Sequence, residues 1–160
     1  MAEKFFKETF ELFYLILRER WKFFQRDGEL IHFLLLSNNI EKGKIIDVMC
    51  GDGRLAIYLA MKGYEVTCID FTREYLERGK NIAERYGVKH IIKFVNGDVR
   101  KIDNFVRDNY DAAILFWSVI GYYDRETEMQ IFEKIRKITS EKGLLIIAEQ
   151  ILREDLQDFR

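Results

Sequence analysis

Three short stretches of the sequence carry carboxylates, two of them beside glycines, in a pattern suited to holding a nucleoside. The first is Asp47-Val48-Met49-Cys50-Gly51-Asp52-Gly53-Arg54. Its glycines allow the backbone to turn sharply and approach a ligand closely, and a helix opening at Arg54 would offer free N–H groups to an anionic or carboxylate group. Asp70 follows 19 residues after Gly51, near the ~20-residue spacing at which an acidic side chain accepts hydrogen bonds from ribose hydroxyls. The third stretch is Asn96-Gly97-Asp98-Val99. There Asp98 could accept from an exocyclic amine while Val99 lies against an aromatic base. Each stretch also has a plainer use: a ligand-free turn, a helix N-cap at Asp70 or Thr72, and a turn aspartate at position 98.

Carboxylates can converge only if the elements carrying them end at one edge, and the hydrophobic pattern provides such elements. Apolar residues Phe6, Phe10, Phe13, Tyr14, Leu17 and Trp21 recur at helical spacing, which predicts a long amphipathic helix from Glu3 to Arg26. Gly28 is expected to break it, and Leu30 to Leu36 to form a second, short helix. Residues 1–40 thus read as an N-terminal helical cap and 41–160 as one core domain. From Lys44 the pattern alternates. Strands are expected at Lys44 to Met49, Glu65 to Ile69, Ile91 to Val95, Ala112 to Trp117 and Leu144 to Ala148, with helices at Arg54 to Lys62, Arg73 to Tyr86 and Arg125 to Thr139. A short helical turn near Lys101 to Arg107 completes the series. Valine- and isoleucine-rich strands separated by helix-length segments predict an α/β fold: a Rossmann-like, mostly parallel sheet with helices on both faces. In such sheets ligands bind beyond the carboxyl ends of the strands, where all three stretches fall.

Composition narrows the partners. Lysine and arginine number 26 against 27 acidic residues, so no basic footprint for nucleic acid exists. The apolar stretch Leu12 to Leu17 lies between Glu11 and Arg18 and falls short of the ~20 residues that span a bilayer. Charges at Glu3, Lys4, Lys7 and Glu8 interrupt any leader-like region. Two cysteines fit a reducing compartment. A cytoplasmic protein without membrane contact is expected, and no cluster of residues suggests a metal.

The three stretches together resemble the class I S-adenosylmethionine-dependent methyltransferase family over roughly Lys44 to Glu149. That family commonly carries D-x-G-x-G-x-G after its first strand, and Asp47, Gly51 and Gly53 match; Met49 stands at the usual first glycine, and Cys50 is a familiar occupant of the next position. The resemblance implies S-adenosylmethionine as cofactor, with Asp70 on the ribose hydroxyls, Phe71 against adenine, and Asp98 and Val99 at the adenine edge. Phe116 would close the cofactor side at the fourth strand, and Lys142-Gly143 resembles the turn before the fifth. The [N/D]-P-P-[Y/F] and proline-cysteine signatures of base-modifying members are absent from that position. Trp117, Tyr122 and Tyr123 instead look like the loop of small-molecule methyltransferases, around a cationic or apolar acceptor; each could equally fill the core. In direct displacement at the methyl carbon the acceptor is the nucleophile, so none is required of the protein. His32, on an apolar helix, and His90, at the far end of the third strand, do not qualify as bases, so no catalytic base is assigned.

Two alternatives stay open. Gly51-Asp52-Gly53-Arg54-Leu55-Ala56 also satisfies the G-x-G-x-x-A form of the dinucleotide fingerprint, which suits a nicotinamide-dependent oxidoreductase. A binding module without turnover is the other, given Met49 and the short sequence after the fifth strand. That strand, Leu144 to Ala148, carries no charge and no proline. As an open edge it needs cover, and the charged segment Ile151 to Phe159 offers limited apolar surface, so a homodimer or partner protein is expected over it.

Overall fold

Strands buried on both faces must be apolar almost throughout, and those of this chain are. A computed structural model describes residues 15, 18–19, 21–107, 109–116 and 120–148. Within them β1 (Lys44–Val48), β2 (Glu65–Asp70), β3 (Ile92–Asn96), β4 (Tyr110–Phe116) and β5 (Thr139–Ala148) form one parallel sheet in the order β3-β2-β1-β4-β5. In β1 only Lys44 is exposed. The chain leaves β1 toward β2 on one side and later returns to β4 on the other. The carboxyl ends of β1 and β4, where the order reverses, are the place where open α/β sheets bind ligands. The fold is Rossmann-like, as expected.

Helices cover both faces. On one lie α1 (Phe24–Ser37), α2 (Arg54–Met61) and α3 (Arg73–Arg85), packed through Ile31, Leu35, Leu55, Leu59, Leu76 and Ile82 against Ile45, Val66, Cys68 and Ile114 of the sheet. On the other, α4 (Arg125–Ile138) and a 3₁₀ segment (Val99–Asn104) pack Ile131, Ile135 and Ile102 against Ile46, Val48, Ile69 and Leu115. The Asp124 carboxylate caps α4, accepting from the Thr127 amide at 2.9 Å.

Two expectations are corrected. Gly28 does not end a helix; α1 runs unbroken through it. A Cβ at Gly28 would stand 2.2 Å from the Tyr58 ring, so this glycine is the site of closest approach between α1 and α2, and packing outweighs its poor helix propensity. The fifth strand begins at Thr139 rather than Leu144. Thr139 ends α4 by donating its hydroxyl to the Ile135 carbonyl at 2.7 Å and pairs at once with Tyr110, after which the register shifts before Leu144 meets Ala112. Other boundaries differ by at most three residues, β2 reaching Asp70 itself and the helical turn expected near Lys101 to Arg107 lying at Val99–Asn104. Most of the expected helix Glu3 to Arg26, Trp117, and the tail from Ile151 lie outside the described residues. Among those described, no helix is long and apolar enough to cross a membrane.

Candidate functional site

The turn after β1 is built from left-handed residues at alternate positions: Met49 (φ 59°), Gly51 (φ 59°) and Gly53 (φ 70°). Glycine takes this conformation without cost, whereas an L-residue loses ~1–2 kcal/mol. Met49 accepts that strain and packs against the second core cluster. Two backbone bonds close the turn, Cys50 N–H to the Ile69 carbonyl at 3.2 Å and Gly53 N–H to the Cys50 carbonyl at 3.0 Å. Gly79 of α3 lets the helix come close, since a Cβ there would stand 2.6 Å from the Asp52 carbonyl oxygen.

Asp70, at the end of β2, fastens this turn. One carboxylate oxygen accepts the Gly51 N–H at 2.9 Å and the other the Thr72 N–H at 2.8 Å. Asp70 thus ties the turn to the residue before α3 without capping that helix: Thr72 is the N-cap of α3 and makes no side-chain capping bond. Burial pushes the carboxyl up to about 6, against the lowering effect of those two amides. Asn96 secures the same strand end, its Nδ2 donating to the carbonyls of Asp70 at 3.1 Å and Phe71 at 2.9 Å.

Asp70 is one of three buried carboxylates around the turn. Asp47 is 3% exposed and Asp52 1% exposed. Burial drives Asp47 up to about 7; the Arg54 guanidinium opposes this, while Asp70 and Asp52 reinforce it. Asp52 is also raised by burial. One of its oxygens accepts the Trp21 indole N–H at 2.8 Å and lies 3.8 Å from Arg78 Nε, while the other, Oδ1, is buried with no hydrogen-bond partner. Tyr75 of α3 is buried beside Asp70 and Asp52, its hydroxyl pushed to about 12 by burial and by those two charges.

The third stretch is arranged differently. Asp98 caps the 3₁₀ segment, accepting the Arg100 N–H at 2.9 Å, and pairs with the Arg100 side chain at 2.9 and 3.0 Å. Burial raises this carboxyl, but the Arg100 hydrogen bonds and charge together outweigh it and hold it below the usual range. Val99 is buried, and Phe71 and Phe116 are half-buried. Tyr122 lies within electrostatic reach of Tyr75, and Tyr123 packs on the second core with the Arg100 guanidinium 5.3 Å above its ring. Thus Asp47, Cys50, Gly51, Gly53 and Asp70 form one tight unit, with Phe71, Asp98 and Val99 following the ends of β2 and β3 and Phe116 closing β4.

A methyltransferase domain matches residues 45–143, more than half of the 160-residue chain. The chain belongs to the methyltransferase-domain family. YqeM of Bacillus subtilis, provisionally named a methyltransferase, is 30% identical over 107 residues, which are 66% of this chain and 42% of YqeM. The carboxy-S-adenosyl-L-methionine synthase of Campylobacter jejuni is 26% identical over 154 residues, 95% of this chain and 63% of the synthase. The crystal structure of PH0226 from Pyrococcus horikoshii shares the fold, with a TM-score of 0.70 and 24% identity over 84% of this chain and 62% of PH0226. The chain spans less than two thirds of each of these proteins.

Among the residues this methyltransferase domain brings to the turn, four were not singled out from the sequence. Arg54 is 6% exposed and donates to Asp27 of α1 at 2.8 Å; Asp52, Trp21 and Tyr75 complete the set. One signal was readable: an arginine opening the otherwise uncharged helix Leu55-Ala56-Ile57-Tyr58-Leu59-Ala60-Met61 requires a buried anion.

Proposed function

We propose that this domain binds S-adenosylmethionine across the carboxyl ends of β1, β2 and β3 and that its chain transfers the methyl group to a small-molecule acceptor. The observation that carries the proposal is the set of three buried carboxylates, Asp47, Asp52 and Asp70, around one glycine turn. Such a turn repels a pyrophosphate and attracts a cation, and burial raises two of its carboxyls to about 7 and about 6, so that a cationic ligand beside them favours their ionised form. A sulfonium cofactor with an ammonium group fits; a dinucleotide does not. When bound, the cofactor supplies a methyl carbon on a positively charged sulfur, which an acceptor lone pair displaces.

The chain's own residues bind, orient and exclude water. Asp70 offers its remaining lone pairs to the ribose hydroxyls, Asp98 accepts from the adenine amine, and Phe71 and Val99 flank the base. Gly51 and Gly53 bring bare backbone to the methionine end, and Asp47 keeps a negative charge behind the turn. Phe116 borders the cofactor at the end of β4, and Tyr122 and Tyr123 form the acceptor side, aligning the acceptor with the methyl carbon in a site poor in water. The name of the Campylobacter jejuni relative, which contains an S-adenosyl compound, supports the same cofactor. Free Cys50 and Cys68 suit a reducing, cytoplasmic setting.

Calorimetric titration with S-adenosylmethionine, its neutral thioether product S-adenosylhomocysteine, and NAD tests the proposal. Both S-adenosyl compounds are expected to bind and NAD to give no heat. Affinity for S-adenosylmethionine should rise from about pH 5 to about pH 8 more steeply than that for the thioether, because only the former sets a sulfonium beside carboxyls that ionise in this window. NAD binding alone, or identical pH dependence for the two S-adenosyl compounds, would overturn it. Without ligand the sign reverses. Asp47 and Asp70 rise from 3.8 on folding, so their ionisation costs no stability below about pH 4 and its full cost is felt above about pH 7.

The proposal extends to a second copy of the chain. Among the described residues β5 pairs with β4 alone, and Leu145 and Ile147 on it are 43% and 41% exposed. Beyond Glu141 and Lys142, residues 144–148 of β5 carry no charge, and an uncharged stretch of parallel edge is a template for association. Sedimentation at micromolar concentration should give a homodimer; a monomer would count against it.

A further inference from the structure

The proposed transfer uses neither thiol of the chain, yet the fold places both at the glycine turn. The β2 register sets Cys68 opposite Asp47, with its Sγ 3.2 Å from where a Cβ on Gly53 would stand. Cys50 lies within the turn, held by its N–H to Ile69, the residue after Cys68, and its Sγ is 3.6 Å from the Gly51 carbonyl oxygen. Cys68 is buried and Cys50 half-buried, and both side chains pack into the same core cluster beside the turn, where each bears on the other's titration.

We propose that Cys50 and Cys68 are a redox pair, joined into a reversible disulfide by a hydroperoxide oxidant, and that this bond closes the cofactor site. The second clause rests on the function proposed above. In the first step the more accessible Cys50 sulfur attacks the peroxide, the O–O bond breaks, and Cys50 becomes a sulfenic acid as water leaves, for hydrogen peroxide. In the second the Cys68 sulfur attacks that of Cys50, the S–O bond breaks, and the hydroxyl departs as a second water with the Cys68 proton. Two thiols lose two electrons and the peroxide gains them. Burial, the neighbouring sulfur, Asp47 and Asp70 hold the Cys50 thiol well above its usual range. Oxidation is therefore slow near neutrality and faster at alkaline pH, since the thiolate is the nucleophile.

Closure follows from the geometry of the bond. Disulfide sulfurs stand about 2 Å apart, nearer than two thiols in contact, so the turn is drawn onto β2 beside the Gly51 N–H that bonds Asp70 at 2.9 Å. Shifting Gly51, the neighbour of Cys50, relative to Asp70 changes that hydrogen bond and so disturbs the carboxylate assigned to the ribose.

The full chain treated with hydrogen peroxide, digested without reductant and analysed by mass spectrometry should give a cross-linked peptide pair containing Cys50 and Cys68. Affinity for S-adenosylhomocysteine should fall by ~10- to 100-fold, as when a hydrogen bond to a charged group is lost, and return with dithiothreitol. Bound S-adenosylhomocysteine should slow cross-linking. The Cys68→Ala variant should bind like the parent when reduced and keep its affinity after peroxide treatment followed by catalase. Absence of the cross-linked pair overturns the disulfide; a cross-link that leaves affinity unchanged overturns closure. If the reduced parent binds no S-adenosyl compound, the cofactor assignment and closure both fail, while the mass spectrum still decides whether the redox pair exists.

Discussion

Asp70→Ala is expected to weaken S-adenosylhomocysteine binding by about 1.5–3 kcal/mol, the range for hydrogen bonds to a charged group, while the protein still folds. Two effects on stability oppose each other. The variant leaves the amides of Gly51 and Thr72, now bonded at 2.9 and 2.8 Å, without their acceptor. It also removes a carboxylate that burial makes costly to ionise and that adds to the repulsion on Asp47. Because those terms offset, the loss should appear mainly in affinity. Titration calorimetry and denaturant unfolding on the same preparation separate the two roles. Unchanged affinity with a lower unfolding midpoint would make Asp70 a turn-closing residue only.

Asp70 and its neighbours show what was legible in the sequence and what was not. The alternation of apolar strands and amphipathic helices was legible because a two-sided parallel sheet demands continuous burial, and each expected strand is present. Asp47, Gly51, Gly53 and Asp70 were legible because their types and spacing are set by a backbone that must turn through left-handed conformations. The sequence posed ribose binding and capping at Asp70 as rivals; in the structure the N-cap of α3 is Thr72, with no side-chain capping bond, and Asp70 instead closes the turn through the Gly51 and Thr72 amides. Gly28 misled for a related reason. Local propensity marks a glycine as a helix breaker, but the requirement it meets, room for the Tyr58 ring, belongs to a residue 30 positions away. The Trp21 bond to Asp52 spans 31 residues and the Arg54 bond to Asp27 spans 27; such pairs have no periodicity to betray them. Only the cost of an arginine in an apolar helix points to a missing anion, and it does not say which.

Asp27→Ala should cost about 3–5 kcal/mol of stability, the loss typical when one partner of a buried ion pair is removed. Both side chains are nearly inaccessible, at 7% for Arg54 and 4% for Asp27, so the guanidinium cannot recover its hydration. Arg26 touches the same carboxylate at 3.0 Å but is 66% exposed and can turn to solvent, so it adds little to the loss. Replacing both partners, as Asp27→Leu with Arg54→Met, should restore most of the stability, because apolar groups of similar volume replace buried ion pairs at little cost. Affinity should not recover with it. Arg54 is the positive charge that opposes the burial of Asp47, and without it Asp47 stays protonated to higher pH and contributes less negative charge behind the turn. The double variant should therefore unfold near the parent midpoint yet bind S-adenosylmethionine weakly at pH 7, regaining affinity only as pH rises further. Parent-like binding across the pH range would show that the Asp27–Arg54 pair serves packing between α1 and α2 and leaves the charge of the turn untouched.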